Sequence, residues 1–248
     1  MTEILFIRHG ETDYNKKNLY YGHLNPSLNK TGINQLKNTK KKLEEMNERI
    51  DIVFSSDLKR CRESLELLEL DENIEKYFLE ELRELNFGNI EGKSYNEIKK
   101  EFPHYIDEMK NNWKYFRTKG GESLDDLQKR IVKKIDKIKE KYQNKKILIV
   151  AHAGVIQTAI SYYLFNNLDG YWKFKLDNGS ITKMVVTDDG FIYFDYINHK
   201  RKCIVILKKI IKIKKLHFLS AIYSELLSLL EAGDFLFVKV PLISILQM

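Results

Sequence analysis

EILFIRHGET (residues 3–12) joins four consecutive apolar residues directly to an arginine, a histidine and a glycine. An apolar run of this length near a chain start predicts a buried strand, and strands that are apolar throughout are typical of parallel sheets covered by helices on both faces. The arginine and the histidine would then lie at the carboxyl edge of the sheet, where open α/β folds bind ligands. The stretch therefore predicts both the class of fold and the position of a binding site.

Strand and helix patterns alternate along most of the remaining chain. Further apolar runs that end in polar residues predict strands at 50–56 and 145–152. A hairpin is predicted over 180–197, where an Asp-Gly pair separates two β-rich runs. Asn29 or Thr31 would cap the first predicted helix, and Ser123 would start the third. The predicted helices are 31–46, 58–70, 121–142 and 155–165. This alternation predicts an α/β fold, a three-layer αβα sandwich with a mostly parallel central sheet.

Composition and charge narrow the classes of partner. A chain of 248 residues with 43% hydrophobic and 12% aromatic residues is typical of a folded globular protein. The formal charge is +7, but the residues from 200 onward contain nine Lys or Arg against three acids, so +6 of that charge lies there. Residues 1–199 carry only about +1, so no nucleic-acid partner is predicted. The sequence leaves the oligomeric state open.

The chain divides by composition into a domain over 1–198 and a C-terminal extension over 199–248. Residues 199–215 contain eight basic residues and no acid, and the largely apolar part that follows is interrupted by Glu225 and Glu231. Its charge-free runs are shorter than the ~20 residues of a membrane-spanning helix. We interpret the extension as a helix packed on the domain or a poorly ordered segment, and a basic amphipathic contact with a membrane is the less favoured alternative.

Cysteine usage and the start of the chain indicate compartment and cofactors. Cys61 and Cys203 are too few and too far apart for a disulfide framework or a metal cluster. The start MTEILFI has no basic region and no cleavage site of a signal peptide, which predicts a cytoplasmic protein. No carboxylate or histidine cluster has a metal-ligand spacing, and there is no nucleotide-binding G-x-x-x-x-G-K-[ST] loop. We therefore expect catalysis without a metal or another cofactor.

Two arginines and two histidines follow the ends of predicted strands. Arg8 and His9 follow the first strand, Arg60 follows the second after a short turn, and His152 ends the run at 145–152. Carboxyl ends of parallel strands meet at one edge, so all four could share a pocket. Arginine matches phosphate oxygens and stays cationic, and an imidazole can attack phosphorus to form a phosphohistidine. The guanidinium groups would disfavour the protonated form of His9. The pattern predicts phosphoryl transfer.

A proton donor for the leaving alcohol is also needed, and a carboxyl group is the usual choice. The stretch ELRELNFGNIEG (81–92) offers Glu81, Glu84 and Glu91, and spacing alone does not choose between them. Neither cysteine is followed six positions later by an arginine, which argues against a cysteine-nucleophile phosphatase.

These segments resemble the histidine phosphatase superfamily, the phosphoglycerate-mutase-like group, over about residues 3–198. The matching blocks, in order, are RHGETDYN (8–15), SSDLKRCRES (55–64), RELNFGNIEG (83–92) and VAHAGVI (150–156). The resemblance implies a phosphoglycerate-mutase-like fold, with His9 as nucleophile and Glu84 as proton donor. It implies that the substrate phosphate is bound by Arg8, Asn15, Arg60 and His152.

Within that family, residues 83–98 and 120–131 look most like alpha-ribazole phosphatases of cobalamin biosynthesis, which remove a 5′-phosphate from the lower-ligand nucleoside or its cobalamin form. The expected partner is thus a small-molecule phosphomonoester: alpha-ribazole 5′-phosphate or adenosylcobalamin 5′-phosphate. Alternatives are a broad-specificity phosphatase and a phosphoglycerate mutase, for which the stretch between Glu84 and Gly121 looks short. A non-enzymatic phosphate-binding regulator is disfavoured by the intact catalytic set. Candidate walls of the leaving-group site are 18–28 and 101–121.

Overall fold

The first strand lies inside a six-stranded sheet in the computed structural model, which describes residues 1–199. The strands are β1 (Thr2–Arg8), β2 (Ile52–Ser56), β3 (Lys76–Leu79), β4 (Lys146–Ala151), β5 (Ile181–Val186) and β6 (Ile192–His199). Their order across the sheet is β3-β2-β4-β1-β5-β6. The β1, β2, β3 and β4 pairings are parallel, whereas β5 is antiparallel to both β1 and β6. The sheet is therefore mostly parallel, as predicted.

Seven α-helices lie within residues 1–199. They are α1 (Asp13–Lys16), α2 (Lys30–Glu45), α3 (Lys59–Glu66), α4 (Tyr95–Glu101), α5 (Pro103–Asn111), α6 (Leu124–Lys141) and α7 (Ala153–Phe165). Helices α6 and α7 pack on the sheet face that carries Ile4 and Phe6, and α2 and α3 pack on the face that carries Leu5 and Ile7. Both faces are covered, which is why β1 is apolar at successive positions. The three-layer αβα prediction is confirmed.

The register of the parallel strands sets the level of the polar residues that follow them. Arg8 of β1 is paired with Ala151 of β4, so the next residues, His9 and His152, are at the same level. The pairing of Ser55 with Val150 brings the end of β2 to that level as well. The carboxyl edge thus carries both histidines, as the sequence predicts.

Helix starts follow the predicted capping chemistry. The Asn29 side chain accepts a hydrogen bond from the Gly32 N–H at the start of α2. Ser123 and Asp126 form a reciprocal capping box at the start of α6. The Asp-Gly hairpin turn is also present, with Gly190 at a φ of 85°. Asn29 rather than Thr31 is the cap.

Some boundaries differ from the predictions. The helix predicted over 58–70 ends at Glu66, and Glu69 beyond it has a left-handed φ of 47°. The third predicted helix begins only after its cap, at Leu124. Strand β3 was not predicted, because its residues are mostly exposed and it lies at the sheet edge, where no buried face imposes a pattern. Helices α4 and α5, which form a small separate cluster around Ile90 and Ile98, were also missed.

The predictions for the extension over 199–248 lie outside the described residues, apart from His199. Within the described part of the chain, no helix is long and apolar enough to cross a membrane.

Candidate active site

His9 is buried at the end of β1 with one ring nitrogen fixed. Its Nδ1 lies 2.7 Å from the Gly10 carbonyl oxygen, which can only accept a hydrogen bond, so Nδ1 carries the proton of the neutral ring. The lone pair is therefore on Nε2. The backbone is closely packed here: a Cβ added to Gly10 would lie only 2.7 Å from the Gly32 carbonyl oxygen. The local geometry gives His9 the tautomer that a nucleophilic imidazole requires.

The charge state of His9 fits the same chemistry. Burial, with the positive charges of Arg60 and Arg8, lowers the pKa of His9 well below its ordinary value. The predicted effect of the guanidinium groups is confirmed in direction, although burial is the larger cause. His9 is consequently neutral at physiological pH, and its Nε2 lone pair is available.

Arg60 is fully buried on α3 and is held by neutral acceptors. Nε donates to His152 Nδ1 at 3.2 Å, Nη1 donates to the Leu24 carbonyl at 2.8 Å, and Nη2 donates to the Gly22 carbonyl at 2.7 Å. A guanidinium has five N–H donors, so one N–H on each terminal nitrogen remains free of these bonds. Because none of these acceptors is charged, the cation keeps its attraction for an anion.

His152 lies beside His9, with ring centroids 5.1 Å apart in an edge-to-face arrangement. Its Nδ1 accepts from Arg60, which leaves Nε2 protonated to donate to Ser56 Oγ at 2.9 Å. Burial and the charge of Arg60 lower the pKa of His152, in agreement with a neutral ring. Both nitrogens have protein partners, so the phosphate contact implied for His152 stays a prediction.

Arg8 precedes His9 at the end of β1, and Asn15 follows it in the chain on α1. Arg8 Nη1 donates to the Leu176 carbonyl at 2.6 Å, and the buried Arg8 Nε has no hydrogen-bond partner among the described residues. Asn15 lies in the first turn of α1, where its side-chain oxygen accepts from the Thr12 N–H. Asn178 donates to the His9 carbonyl at 2.9 Å and lies 3.5 Å from the Asn15 oxygen. Asn178 therefore links the backbone of His9 to the side chain of Asn15.

The three candidate proton donors have different surroundings. Glu84 Oε2 accepts from the N–H of Gly154, two residues after His152, at 3.0 Å, and Oε1 accepts from the Leu85 N–H at 3.0 Å. Glu81 instead pairs with Lys134 away from these contacts. Glu91 accepts hydrogen bonds from the backbone N–H groups of residues 22–24. Of the three, Glu84 is the one whose carboxylate accepts a hydrogen bond from the first turn of α7, directly after His152.

Glu84 has a close-fitting environment. A Cβ on Gly154 would lie 2.3 Å from Glu84 Oε1 and 3.1 Å from the Tyr171 hydroxyl oxygen, so a side chain at position 154 would occupy the space of the carboxylate. Burial, and next the negative charge of Glu84, raise the pKa of Tyr171. A buried, neutral phenol thus lies next to the carboxylate.

The two segments predicted to line the leaving-group site, 18–28 and 101–121, differ in their contacts with the site residues. The loop over 18–28 contacts Arg60 directly through two carbonyls. The segment over 101–121 contributes Trp113, whose ring lies 6.5 Å from that of Tyr171, while Tyr105 packs on Phe116 at 5.2 Å. Trp113 is thus near Tyr171, which lies beside Glu84. Tyr105 instead packs in the cluster around Ile90 and Ile98.

Sequence reasoning missed Ser56, Tyr171 and Asn178, which contact or adjoin residues of the predicted site. The Asp-Asn-Gly run at 177–179 marks a turn, so it could have drawn attention to that loop. Nothing local in the sequence indicates that Asn178 contacts His9, 169 residues earlier in the chain. Within residues 1–199, no group of three or more His, Cys, Asp or Glu side chains is arranged to hold a metal ion.

Comparisons with known proteins agree with this geometry. The chain matches the model of the histidine phosphatase superfamily (branch 1) over residues 4–198. It is 33% identical to phosphoglycerate mutase-like protein 4 of Arabidopsis thaliana, covering 63% of this chain and 68% of the relative. It is 28% identical to the adenosylcobalamin/alpha-ribazole phosphatase of Escherichia coli (70% and 84%) and 29% identical to a broad-specificity phosphatase of Saccharomyces cerevisiae (82% and 83%). The crystal structure of the alpha-ribazole phosphatase from Shigella flexneri matches with a TM-score of 0.73 at 26% identity, covering 79% of this chain and 96% of that one.

The fold and the site define an αβα enzyme in which two adjacent histidines, with an arginine bonded to one of them, lie at the carboxyl edge of a mostly parallel sheet. The chain belongs to the histidine phosphatase superfamily, branch 1, and it is a phosphatase. The predicted family, fold class and enzyme class are confirmed. Relatives with different printed activities lie at similar identity, so the natural substrate is not decided by similarity.

Proposed function

We propose that the protein hydrolyses a phosphomonoester through a phosphohistidine formed on His9. The observation that carries the proposal is the fixed tautomer of His9, whose Nδ1 donates to Gly10 while burial and two arginines keep the ring neutral. A neutral imidazole with a free Nε2 beside two cations suits nucleophilic attack on a dianionic phosphate ester.

The first half-reaction transfers the phosphoryl group to the protein. Arg8, Asn15, Arg60 and His152 bind the phosphate in this proposal, and His152 does so by turning its Nε2–H from Ser56 Oγ to a phosphate oxygen. The Nε2 lone pair of His9 forms a bond to phosphorus as the bond between phosphorus and the ester oxygen breaks. Protonated Glu84 gives its proton to that oxygen, and the alcohol leaves. The cations neutralise charge on the equatorial oxygens, which is the chief contribution a protein makes to this reaction.

The second half-reaction returns the protein to its starting state. Glu84, now a carboxylate, takes a proton from water, and the resulting hydroxide oxygen bonds to phosphorus as the bond to His9 Nε2 breaks. Inorganic phosphate leaves, His9 regains its lone pair, and Glu84 is again protonated. One group thus acts as acid in the first step and base in the second.

We propose alpha-ribazole 5′-phosphate, or adenosylcobalamin 5′-phosphate, as the natural substrate. The support is the likeness to the Escherichia coli and Shigella flexneri phosphatases that carry this name. The alternative is a broad range of small phosphomonoesters, supported by the comparable identity to the yeast enzyme. A panel containing alpha-ribazole 5′-phosphate, phosphoserine and 3-phosphoglycerate separates the two. A kcat/KM for alpha-ribazole 5′-phosphate no higher than for the others would reject the specific substrate.

Two variants test the mechanism. His9→Ala should neither turn over nor form an acid-labile phosphoenzyme on brief incubation with labelled substrate, and labelling of that variant would assign the nucleophile elsewhere. Glu84→Gln should lose most phosphorylation rate with an alkyl phosphate and much less with p-nitrophenyl phosphate, whose leaving group needs little protonation. Equal losses with both substrates would remove Glu84 from the donor role.

A further inference from the structure

The carboxylate of Glu91 binds four backbone N–H groups. Oε1 accepts from Gly22 at 3.1 Å, His23 at 2.7 Å and Phe87 at 3.2 Å, and Oε2 accepts from Leu24 at 2.6 Å. Three of the four donors are consecutive. Hydrogen bonds to an ionised acceptor are roughly twice as strong as neutral ones, so Glu91 fixes the path of this part of the loop. Residues 22–24 are called the 22–24 segment below.

The same segment binds Arg60 through its carbonyl groups. Gly22 and Leu24 each place an N–H on Glu91 and a carbonyl oxygen on a terminal nitrogen of Arg60. In the peptide unit between Gly22 and His23, the N–H donates to the Glu91 carboxylate and the carbonyl accepts from the Arg60 guanidinium, so the dipole of this unit points its positive end at the anion and its negative end at the cation. The orientation of the Arg60 guanidinium therefore depends on the position in which Glu91 holds the segment.

The segment has little freedom to move on its remaining side. A Cβ on Gly22 would lie 1.7 Å from the Leu85 carbonyl oxygen, so the backbones of the two residues are in close contact. The His23 ring lies 3.2 Å from the Glu84 carbonyl oxygen, which joins the segment to the backbone of the proposed proton donor. With Glu91 on one side and Leu85 on another, the segment is a rigid support for Arg60.

We propose that Glu91 is a positioning residue that orients the Arg60 guanidinium toward the substrate phosphate through the 22–24 segment. The inference rests on the proposed function, in which Arg60 binds that phosphate. Without the carboxylate the segment relaxes, the carbonyl groups leave the Arg60 terminal nitrogens, and the fork turns away from the phosphate oxygens. Phosphate affinity falls, whereas proton transfer by Glu84 is not directly affected.

The first experiment compares Glu91→Gln with a matched control. The amide replaces one acceptor oxygen by a donor group that cannot accept an N–H. The expected result is a Kd for inorganic phosphate, measured by calorimetry, about 10- to 100-fold weaker, the scale of the loss when a partner that orients a ligand-binding side chain is removed. The control is Glu63→Gln, whose carboxylate accepts from the Leu28 N–H of the same loop at 2.7 Å, outside the segment, and whose phosphate affinity should be unchanged.

Two readouts separate positioning from other roles. The ratio of phosphorylation rates with an alkyl phosphate and p-nitrophenyl phosphate should stay at the wild-type value in Glu91→Gln, since Glu84 remains the donor. A shifted ratio would show that Glu91 acts on the proton donor, directly or through the contact of His23 with the Glu84 carbonyl, and would overturn the inference. In an Arg60→Lys background, the effect of Glu91→Gln on phosphate affinity should largely vanish, because lysine has no fork to orient.

The outcomes distinguish this inference from the proposed function. If Arg60→Lys leaves phosphate affinity unchanged, Arg60 is not a phosphate ligand and that part of the proposed function fails. If Arg60→Lys weakens binding but Glu91→Gln does not, or if the two losses simply add, only the role of Glu91 is overturned. Circular dichroism checks folding. Should Glu91→Gln not fold, Glu91→Asp, which keeps the charge on a shorter side chain, takes its place, and wild-type phosphate affinity in that variant overturns the inference.

Discussion

Replacing Gly154 by alanine adds a single methyl group against the carboxyl of Glu84. The new Cβ would lie 2.3 Å from Glu84 Oε1 and 3.2 Å from Glu84 Cδ. Ordinary carbon–oxygen contacts need about 3.5 Å, so the oxygen must move by roughly 1 Å. It lies at the end of a flexible side chain, so the carboxyl turns rather than the fold changing. We expect a folded protein with a displaced proton donor.

The size of the effect follows from the role proposed for Glu84. A misplacement of roughly 1 Å costs on the order of 100-fold in rate, which corresponds to about 2.7 kcal/mol of transition-state stabilisation. The hydrogen bond from the Gly154 N–H to Glu84 Oε2, 3.0 Å long in the structure, weakens at the same time. Phosphorylation by an alkyl phosphate should therefore slow about 100-fold, whereas p-nitrophenyl phosphate should lose far less because its leaving group needs little protonation.

Rapid-quench measurement of phosphoenzyme formation with both substrates is the assay. Glu84→Gln provides the comparison, and the double variant Glu84→Gln/Gly154→Ala should be no slower than Glu84→Gln alone, since both changes act through one carboxyl. Inorganic phosphate should bind Gly154→Ala with nearly wild-type affinity. Equal losses for the two substrates, or additive losses in the double variant, would refute the reasoning.

Three further predictions concern stability. Folding lowers the pKa values of His9 and His152, so below the unfolded histidine pKa of about 6.5 the unfolded chain binds more protons than the folded protein. The free energy of unfolding should therefore fall as the pH decreases, by up to about 2.7 kcal/mol per pH unit from these two histidines. Urea denaturation of His9→Gln should show about half of that histidine slope, and an unchanged slope would contradict the burial argument. Ser123→Ala removes the buried cap of α6 and should cost about 1 kcal/mol, more than Ser94→Ala at the partly exposed cap of α4. Calorimetric melting compares the two variants, and equal losses of stability would contradict this prediction. A fragment of residues 1–199 contains the six strands of the described sheet and should fold with nearly unchanged kcat. Circular dichroism and steady-state assays check this, and an insoluble fragment would place residues beyond 199 within the fold.

The order of strands and helices was readable from the sequence because burial leaves a local pattern. Ile4 to Ile7 are apolar at successive positions since helices cover both faces of β1, and the same holds for β4. Polar residues directly after such runs indicated the carboxyl edge, so the neighbourhood of Arg8, His9, Arg60 and His152 could be predicted before their distances were known. β3 lacked the pattern because it is an exposed edge strand.

Spacing left Glu81, Glu84 and Glu91 open as proton donors, and the surroundings of Glu84 and Glu91 show why. The choice depends on which distant backbone N–H groups each carboxylate meets, and those belong to Gly154 in one case and to Gly22, His23 and Leu24 in the other. Such contacts are set by strand register and helix packing between segments far apart in the chain. The sequence by itself therefore determined the layers and the edge that carries the site. Only the tertiary structure decided the tautomers of the histidines, the partners of Arg60 and the surroundings of each glutamate, because a hydrogen bond between distant segments leaves no periodic trace in either one.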